Sequence, residues 1–300
     1  MKQHAVLASI ALALVTTTPL AQGNDTLAKL KETGSITLGV RESNVAMSYA
    51  LGDGRHAGFH IDLCHRVVAN VEKAIGRKLD IKYQLVTSQN RIPLLQNGTI
   101  DMECGSTTNN ATRQKDVAFL PTTFVEEVRI AVKKNSGIDS LEQLDGKTIA
   151  TTTGATSVQH LRKHQRTGNV SFKELHGKDH DESFLLLQSG RADAFVLDGA
   201  ILAGNIAVSK NPAEYKILPD VLNVEPIAIM VRKDDPQFRR IGQETVAQMA
   251  KSGELATLWD KWFMKPIPPK NVSVGYPLNE STRQAWADLN DRPMEDYAKK

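Results

Sequence analysis

The chain has 300 residues, 41% apolar and 24% charged, enough for about two domains of ~150 residues with real cores. A net charge of +3, carried by scattered rather than striped basic residues, supplies no field for a polyanion. Aromatic residues at 5% leave little for stacking bases or sugars, so nucleic acid is set aside as a partner.

Lys2 and His4 precede the run Ala5 to Val15, apolar but for Ser9, which is followed by Thr16 to Thr18 and Pro19-Leu20-Ala21. A basic start, an apolar centre and a small residue at the end predict a secretory signal peptide over residues 1–21. Cleavage is expected after Ala21, although Pro19 is atypical at the −3 position. The apolar run is shorter than the ~20 residues a membrane-spanning helix needs, which argues against an uncleaved anchor. No cysteine adjoins the cut, and no second long apolar run follows, so an exported periplasmic protein without a lipid anchor is expected. In an oxidising compartment Cys64 and Cys104 can form one disulfide or stay as two buried thiols.

Thr26 to Thr33 reads as a short amphipathic helix stopped by Gly34, and Ser35 to Val40 as a strand. Phe59 to Ile75 carries Leu63, Val67, Val68 and Val71 at helical spacing and ends at Gly76. Leu79 to Val86 reads as a strand, Arg91 to Gln96 as a short helix, and Ile100 to Met102 as a strand. Beyond Phe119-Leu120-Pro121 the order repeats. Strands are expected at Val128 to Val132, Lys147 to Thr151, Val170 to Leu175 and Ala194 to Leu197, with helices at Val158 to Gln165 and Ser183 to Gln188. A strand at Ile227 to Val231 follows a break at Pro226, and the helices Phe238 to Lys251 and Glu254 to Phe263 come after it. The polar tail from Pro266 to Lys300, with Pro268 and Pro269, is expected to be a loosely packed appendage. Two β-α-β-α-β units with crossings near residues 120–123 and 224–227 predict an α/β protein of two lobes joined by a two-segment hinge. The expected limits are 22–121 plus 226–300 for lobe I and 122–225 for lobe II.

Open α/β sheets bind ligands at the carboxyl ends of their strands. Four polar loops fall there: Arg41-Glu42-Ser43, Thr87 to Arg91, Cys104 to Asn110 with Arg113, and Thr152 to Ser157. Any one of them is ordinary turn and capping chemistry. Four together, with three arginines, point to an anionic ligand, because the planar guanidinium donates two parallel hydrogen bonds to a carboxylate. Asp198 follows a strand and serves equally as a helix cap or as the partner of a ligand ammonium. His160 and His164 are four apart on a helix, but no third metal ligand has matching spacing, so they are expected as solvated surface histidines. The thiol-site reading of Cys64 with His60 and His65 is weak, and no phosphate-cradling glycine motif occurs.

The stretches Thr87-Ser-Gln-Asn-Arg-Ile-Pro-Leu-Leu-Gln-Asn-Gly98 and Glu103-Cys-Gly-Ser-Thr-Thr-Asn-Asn110 resemble those of glutamate/aspartate-binding proteins of ABC transporters. So do Lys178-Asp-His180 with Ser183-Phe184, and Lys233-Asp-Asp-Pro-Gln-Phe238 with Trp262-Phe263 and Pro266-Ile-Pro-Pro269. The resemblance spans roughly Leu27 to Leu278. It implies the type II periplasmic binding protein fold, no cofactor, a monomer, and delivery of glutamate or aspartate to a membrane permease by hinge closure. It also implies Arg113 and Thr108, with Thr152 or Thr156, on the α-carboxylate, and Ser106 and Asp198 on the ammonium. Arg41, Ser88, Arg91 and His180 are implied around the side-chain carboxylate. Three arginines against one aspartate leave such a site net positive, which disfavours a neutral ligand. The rivals are a dehydratase-like enzyme on the same fold, for which Asp198, Glu42 or His180 would have to act as the acid, and a sensor input domain.

Overall fold

The computed structural model describes residues 25–168 and 170–297, so the expected signal peptide lies outside the described residues. In lobe I, α1 (Thr26–Thr33) leads into β1 (Ser35–Val40); a small sheet of β2 (Ser43–Asn44), β3 (Ser48–Ala50) and β4 (His56–Ala57) follows. Next come α2 (Phe59–Ile75), β5 (Asp80–Leu85), α3 (Arg91–Gln96), β6 (Met102–Thr108) and β7 (Val117–Phe119). The long strand β8 (Phe124–Lys133) crosses into lobe II. There the order is β9 (Thr148–Thr152), α4 (Ser157–Thr167), β10 (Lys173–Gly177), α5 (His180–Gln188), β11 (Ala194–Asp198), α6 (Gly199–Val208) and β12 (Tyr215–Ile217). A second long strand, β13 (Asn223–Arg232), returns, followed by α7 (Pro236–Lys251), α8 (Glu254–Trp259), α9 (Glu280–Asp288) and α10 (Met294–Tyr297).

The main sheet runs β10-β9-β11-β8-β13-β6-β1-β5. Each lobe has a parallel trio (β1 with β5 and β6; β9 with β10 and β11), and the long strands run antiparallel to their other neighbours, β13 to β6 and β7 and β8 to β11 and β12. Pairing is also antiparallel where β8 and β13 cross between lobes, from Phe124 opposite Ile227 to Val128 opposite Asn223. Each lobe has its own core. In lobe I the apolar stripe of α2 (Leu63, Val67, Val68, Val71) packs with Leu38, Phe124, Trp259 and Phe263, the last two stacked at 4.0 Å. In lobe II one face of the sheet buries Val128, Ile149, Leu161 and Val196, and the other buries Phe184, Phe195, Leu202 and Tyr215. Such a layout leaves the two crossing strands as the main covalent path between lobes. The two cysteines form the disulfide Cys64–Cys104, which ties α2 to β6.

Two expectations are corrected here. Pro226 does not break the strand, because β13 continues through it opposite Val125. Proline has no N–H to give a ladder. Val125 sends its own N–H to Thr282 Oγ1 (3.0 Å), and its carbonyl accepts from Asn279 Nδ2 (2.8 Å). The tail is therefore not a loose appendage: it covers the edge of β8 at the crossing. Trp286 Nε1 donates to Thr123 O at 2.8 Å, Thr122 N donates to Asn290 O at 2.9 Å, and Thr282 and Ala285 are buried.

Candidate functional site

The carboxyl ends of β1, β9 and β11 converge between the lobes, and each hands a side chain to the same region. Arg41 follows β1 and is fully buried. Ser88 follows β5, and Arg91 opens α3; Ser106 and Thr108 lie on β6, with Arg113 just beyond. From lobe II come Thr152 at the end of β9, Thr156 before α4, His180 at the start of α5 and Asp198 at the end of β11. The structure ties several of these directly to one another, while Ser106 Oγ accepts from Asn44 Nδ2 at 2.7 Å. Thr108 Oγ1 and Thr156 Oγ1 are 3.3 Å apart across the lobes, and Arg113 Nη2 donates to Gly154 O at 3.3 Å. Arg41 Nη2 pairs with Asp179, beside His180, whose Nδ1 lies 2.9 Å from Thr152 Oγ1. Gly154, at φ +81°, sits so close to the Ser88–Gln89 backbone that a Cβ there would come within 2.8 Å of Gln89 N. A side chain larger than glycine's hydrogen would hold the lobes apart at this point.

The arginines differ in what they bind. Arg113 donates through Nη1 to Thr108 O at 2.8 Å. Arg41 uses Nη2 on Asp179, while its Nε and Nη1 are buried without an acceptor among the described residues. Arg91, 2% exposed, has no protein acceptor for any guanidinium nitrogen among the described residues, and Nε and Nη1 are fully buried. Burial, then the charge of Arg113, pushes Arg91 down to about 9. Burial followed by the Arg41 charge holds His180 at about 3, so it is neutral at ordinary pH. Asp198 occupies the cap position of α6 without making a side-chain capping bond, and no protein donor meets its carboxylate among the described residues. Burial and the neighbouring Glu225 carboxylate push it up to about 7.

Glu225, on β13, is a member that sequence reasoning missed. Its Oε2 accepts from Thr108 Oγ1 (2.5 Å) and Thr156 Oγ1 (2.8 Å), and its Oε1 accepts from His160 Nε2 (2.5 Å). Burial alone would raise its pKa; the His160 hydrogen bond and charge, with the two threonines, outweigh that and lower it. His160 is thus no solvated surface residue: its side chain is 11% exposed and bound to a buried carboxylate. Asp179 was also missed, although the Lys178-Asp-His180 run contained it. Glu103, with Oε2 on Thr107 and Oε1 buried without a donor, is a third missed acid. The net-positive count of three arginines against one aspartate therefore fails, because Asp179, Glu103 and Glu225 share the region. The arginine N–H groups that the protein leaves without acceptors are the sounder measure of what the site lacks.

His60 is a core residue: its ring bridges Gly105 O and Thr123 Oγ1, and burial holds it at about 4. With Cys64 in the disulfide, no thiol site remains there. Among the described residues no cluster of histidine, cysteine and acids could hold a metal, and no helix is long and apolar enough to cross a membrane.

Residues 36–265 match the model for bacterial extracellular solute-binding proteins, family 3. The chain is 40% identical to the glutamate/aspartate import solute-binding protein of Escherichia coli, covering 96% of this chain and 98% of that one. It is 41% identical to the L-glutamate/L-aspartate-binding protein of Pseudomonas aeruginosa, covering 90% of each. Among solved structures it resembles an ancestral amino acid-binding protein described as a precursor of cyclohexadienyl dehydratase, with TM-score 0.69, 27% identity, and 79% and 99% of the two chains covered.

Proposed function

The chain belongs to family 3 of the bacterial extracellular solute-binding proteins, and from that premise we propose that it captures L-glutamate or L-aspartate between its lobes and delivers it to an ABC transporter. It is a transport protein and not an enzyme: the curated relatives at 40% and 41% identity are named as binding proteins. We further propose that it works as a periplasmic monomer after removal of residues 1–21, docking closed on membrane permease subunits. The lobe limits proposed for this closure are 22–121 plus 226–300 and 122–225.

The observation that carries the acidic ligand is Arg91, a buried guanidinium with no acceptor among the described residues. An unpaired buried charge is costly, so a side-chain carboxylate arriving between Arg91, Arg41, Ser88 and neutral His180 would be held strongly. At the other end Asp198 and Ser106 are assigned to the ammonium, and Arg113, Thr152 and the Thr108 and Thr156 segments to the α-carboxylate. A hydroxyl has one proton, and in this arrangement those of Thr108 and Thr156 go to Glu225. Their side chains then keep lone pairs, so these two segments offer the α-carboxylate main-chain N–H groups, beside Arg113 and Thr152.

A thermal-shift screen of the amino acids on the mature protein tests the reading. Glutamate and aspartate should raise the melting temperature most, by several degrees at millimolar ligand. A larger shift from glutamine, arginine or an apolar amino acid would overturn it.

A further inference from the structure

Glu225 lies on the crossing itself, opposite Glu126 in the β8–β13 ladder, and is fully buried. Burying an ionised carboxylate costs several kcal/mol unless hydrogen bonds compensate. Its three donors come from both lobes: Thr108 is the last residue of β6 in lobe I, while Thr156 and His160 sit one turn apart at the start of α4 in lobe II. Thr108 and Thr156 share one oxygen, Oε2, and are themselves only 3.3 Å apart. Moving the lobes apart must therefore break a bond to Glu225. His160, on the same helix that Thr156 precedes, holds the other oxygen.

We infer that Glu225 is a positioning residue for ligand capture: it latches the closed arrangement by holding Thr108 from one lobe and Thr156 with His160 from the other. This rests on the binding function proposed above and assigns Glu225 no contact with ligand. A core carboxylate that merely stabilised one lobe would draw its donors from that lobe alone. Glu225 instead collects them where the relative position of the lobes is decided, so its loss should act on the lifetime of the closed form.

The test uses the mature protein carrying Glu225→Gln, which keeps the shape and removes the charge, at pH 8.5, where Asp198 is ionised with or without that charge. Release of radiolabelled glutamate should quicken at least about tenfold, with association changed by less than about threefold. His160→Leu should quicken release, whereas His160→Gln, which restores a donor near the Nε2 position, should return it close to the parent rate. A double-mutant cycle of Glu225→Gln with Thr156→Val should show coupling, because one change weakens and the other removes the same charge-assisted bond. Unchanged release, or strict additivity in the cycle, would overturn the latch. Small-angle scattering of the ligand-free protein gives a reading that needs no amino acid, with a larger radius of gyration expected for Glu225→Gln. Should the parent protein bind neither glutamate nor aspartate, the ligand reading falls, and identical scattering profiles would then sink the latch as well.

Discussion

Two buried arginines of lobe I have opposite surroundings. Arg232 donates to Ile100 O at 2.8 Å, Thr26 Oγ1 at 2.5 Å and Asp101 Oδ1 at 3.0 Å. Lys29 adds a second cation on Asp101 at 2.8 Å. Arg91 is as deeply buried, has none of these acceptors, and has Arg113 and Arg41 for neighbours. Arg232 spends its donors inside the fold, whereas Arg91 holds them in reserve. Burial cannot tell a structural charge from a ligand-seeking one; the hydrogen bonds already made can.

The largest effect should come from breaking the satisfied member. Arg232→Ala leaves Asp101 and Thr26 short of a donor and should lower stability by about 3–5 kcal/mol, read from the urea midpoint. Glutamate affinity, measured at a temperature where the variant stays folded, should move by less than about threefold. Arg91→Ala should do the reverse. Glutamate binding should weaken by ~100-fold or more in calorimetry, about 3 kcal/mol, while glutamine loses less than about tenfold. The ligand-free melting temperature should hold or rise, since a buried cation that only the charges of Glu103 and Asp198 offset, with no hydrogen bond, is gone. Should both variants lose stability alike, the distinction between the arginines is lost. A smaller effect is expected at the disulfide, which closes a separation of 40 residues. Replacing Cys64 and Cys104 together by serine should cost ~2–4 kcal/mol, mostly through a freer unfolded chain, and leave the ratio of glutamate to glutamine affinity intact.

The contrast between the arginines was half legible in the sequence. Strand-end position and residue type brought Arg41, Arg91 and Arg113 forward, because an α/β order dictates where its loops gather. Whether each arginine had an acceptor depended on residues far along the chain. Arg41 meets Asp179, 138 positions away, and Thr108 meets Glu225, 117 positions away. No periodicity links such pairs. Glu225 and His160 were passed over for that reason: one precedes a proline that read as a strand break, and the other looked like one of two histidines on a polar helix. The tail misled through its prolines. Thr282, Ala285 and Trp286 recur at helical spacing behind an Asn279 cap, a signal that was present but outweighed by composition.

The acids repeat the contrast on a finer scale. Asp101 is met by Lys29, Arg232 and the Thr37 N–H, while Asp198 is met by no protein donor among the described residues. Burial and Glu225 push Asp198 up to about 7, against ~3.9 in an unfolded chain. The sign follows from proton counts. Between about pH 4 and 7 the unfolded chain has released this proton and the ligand-free fold still holds it, so on this account raising the pH through that window destabilises the free protein. A ligand ammonium favours the carboxylate and expels the proton. Glutamate affinity should therefore climb with pH by up to about tenfold per unit below about 7 and level off above it. Asp198→Asn should abolish that slope, bind glutamate weakly at every pH, and raise the ligand-free melting temperature at pH 8 but not at pH 4. Calorimetry at pH 5.5, 6.5 and 7.5 separates the outcomes. A slope that survives in Asp198→Asn would place the titrating group elsewhere and free Asp198 from the ammonium role.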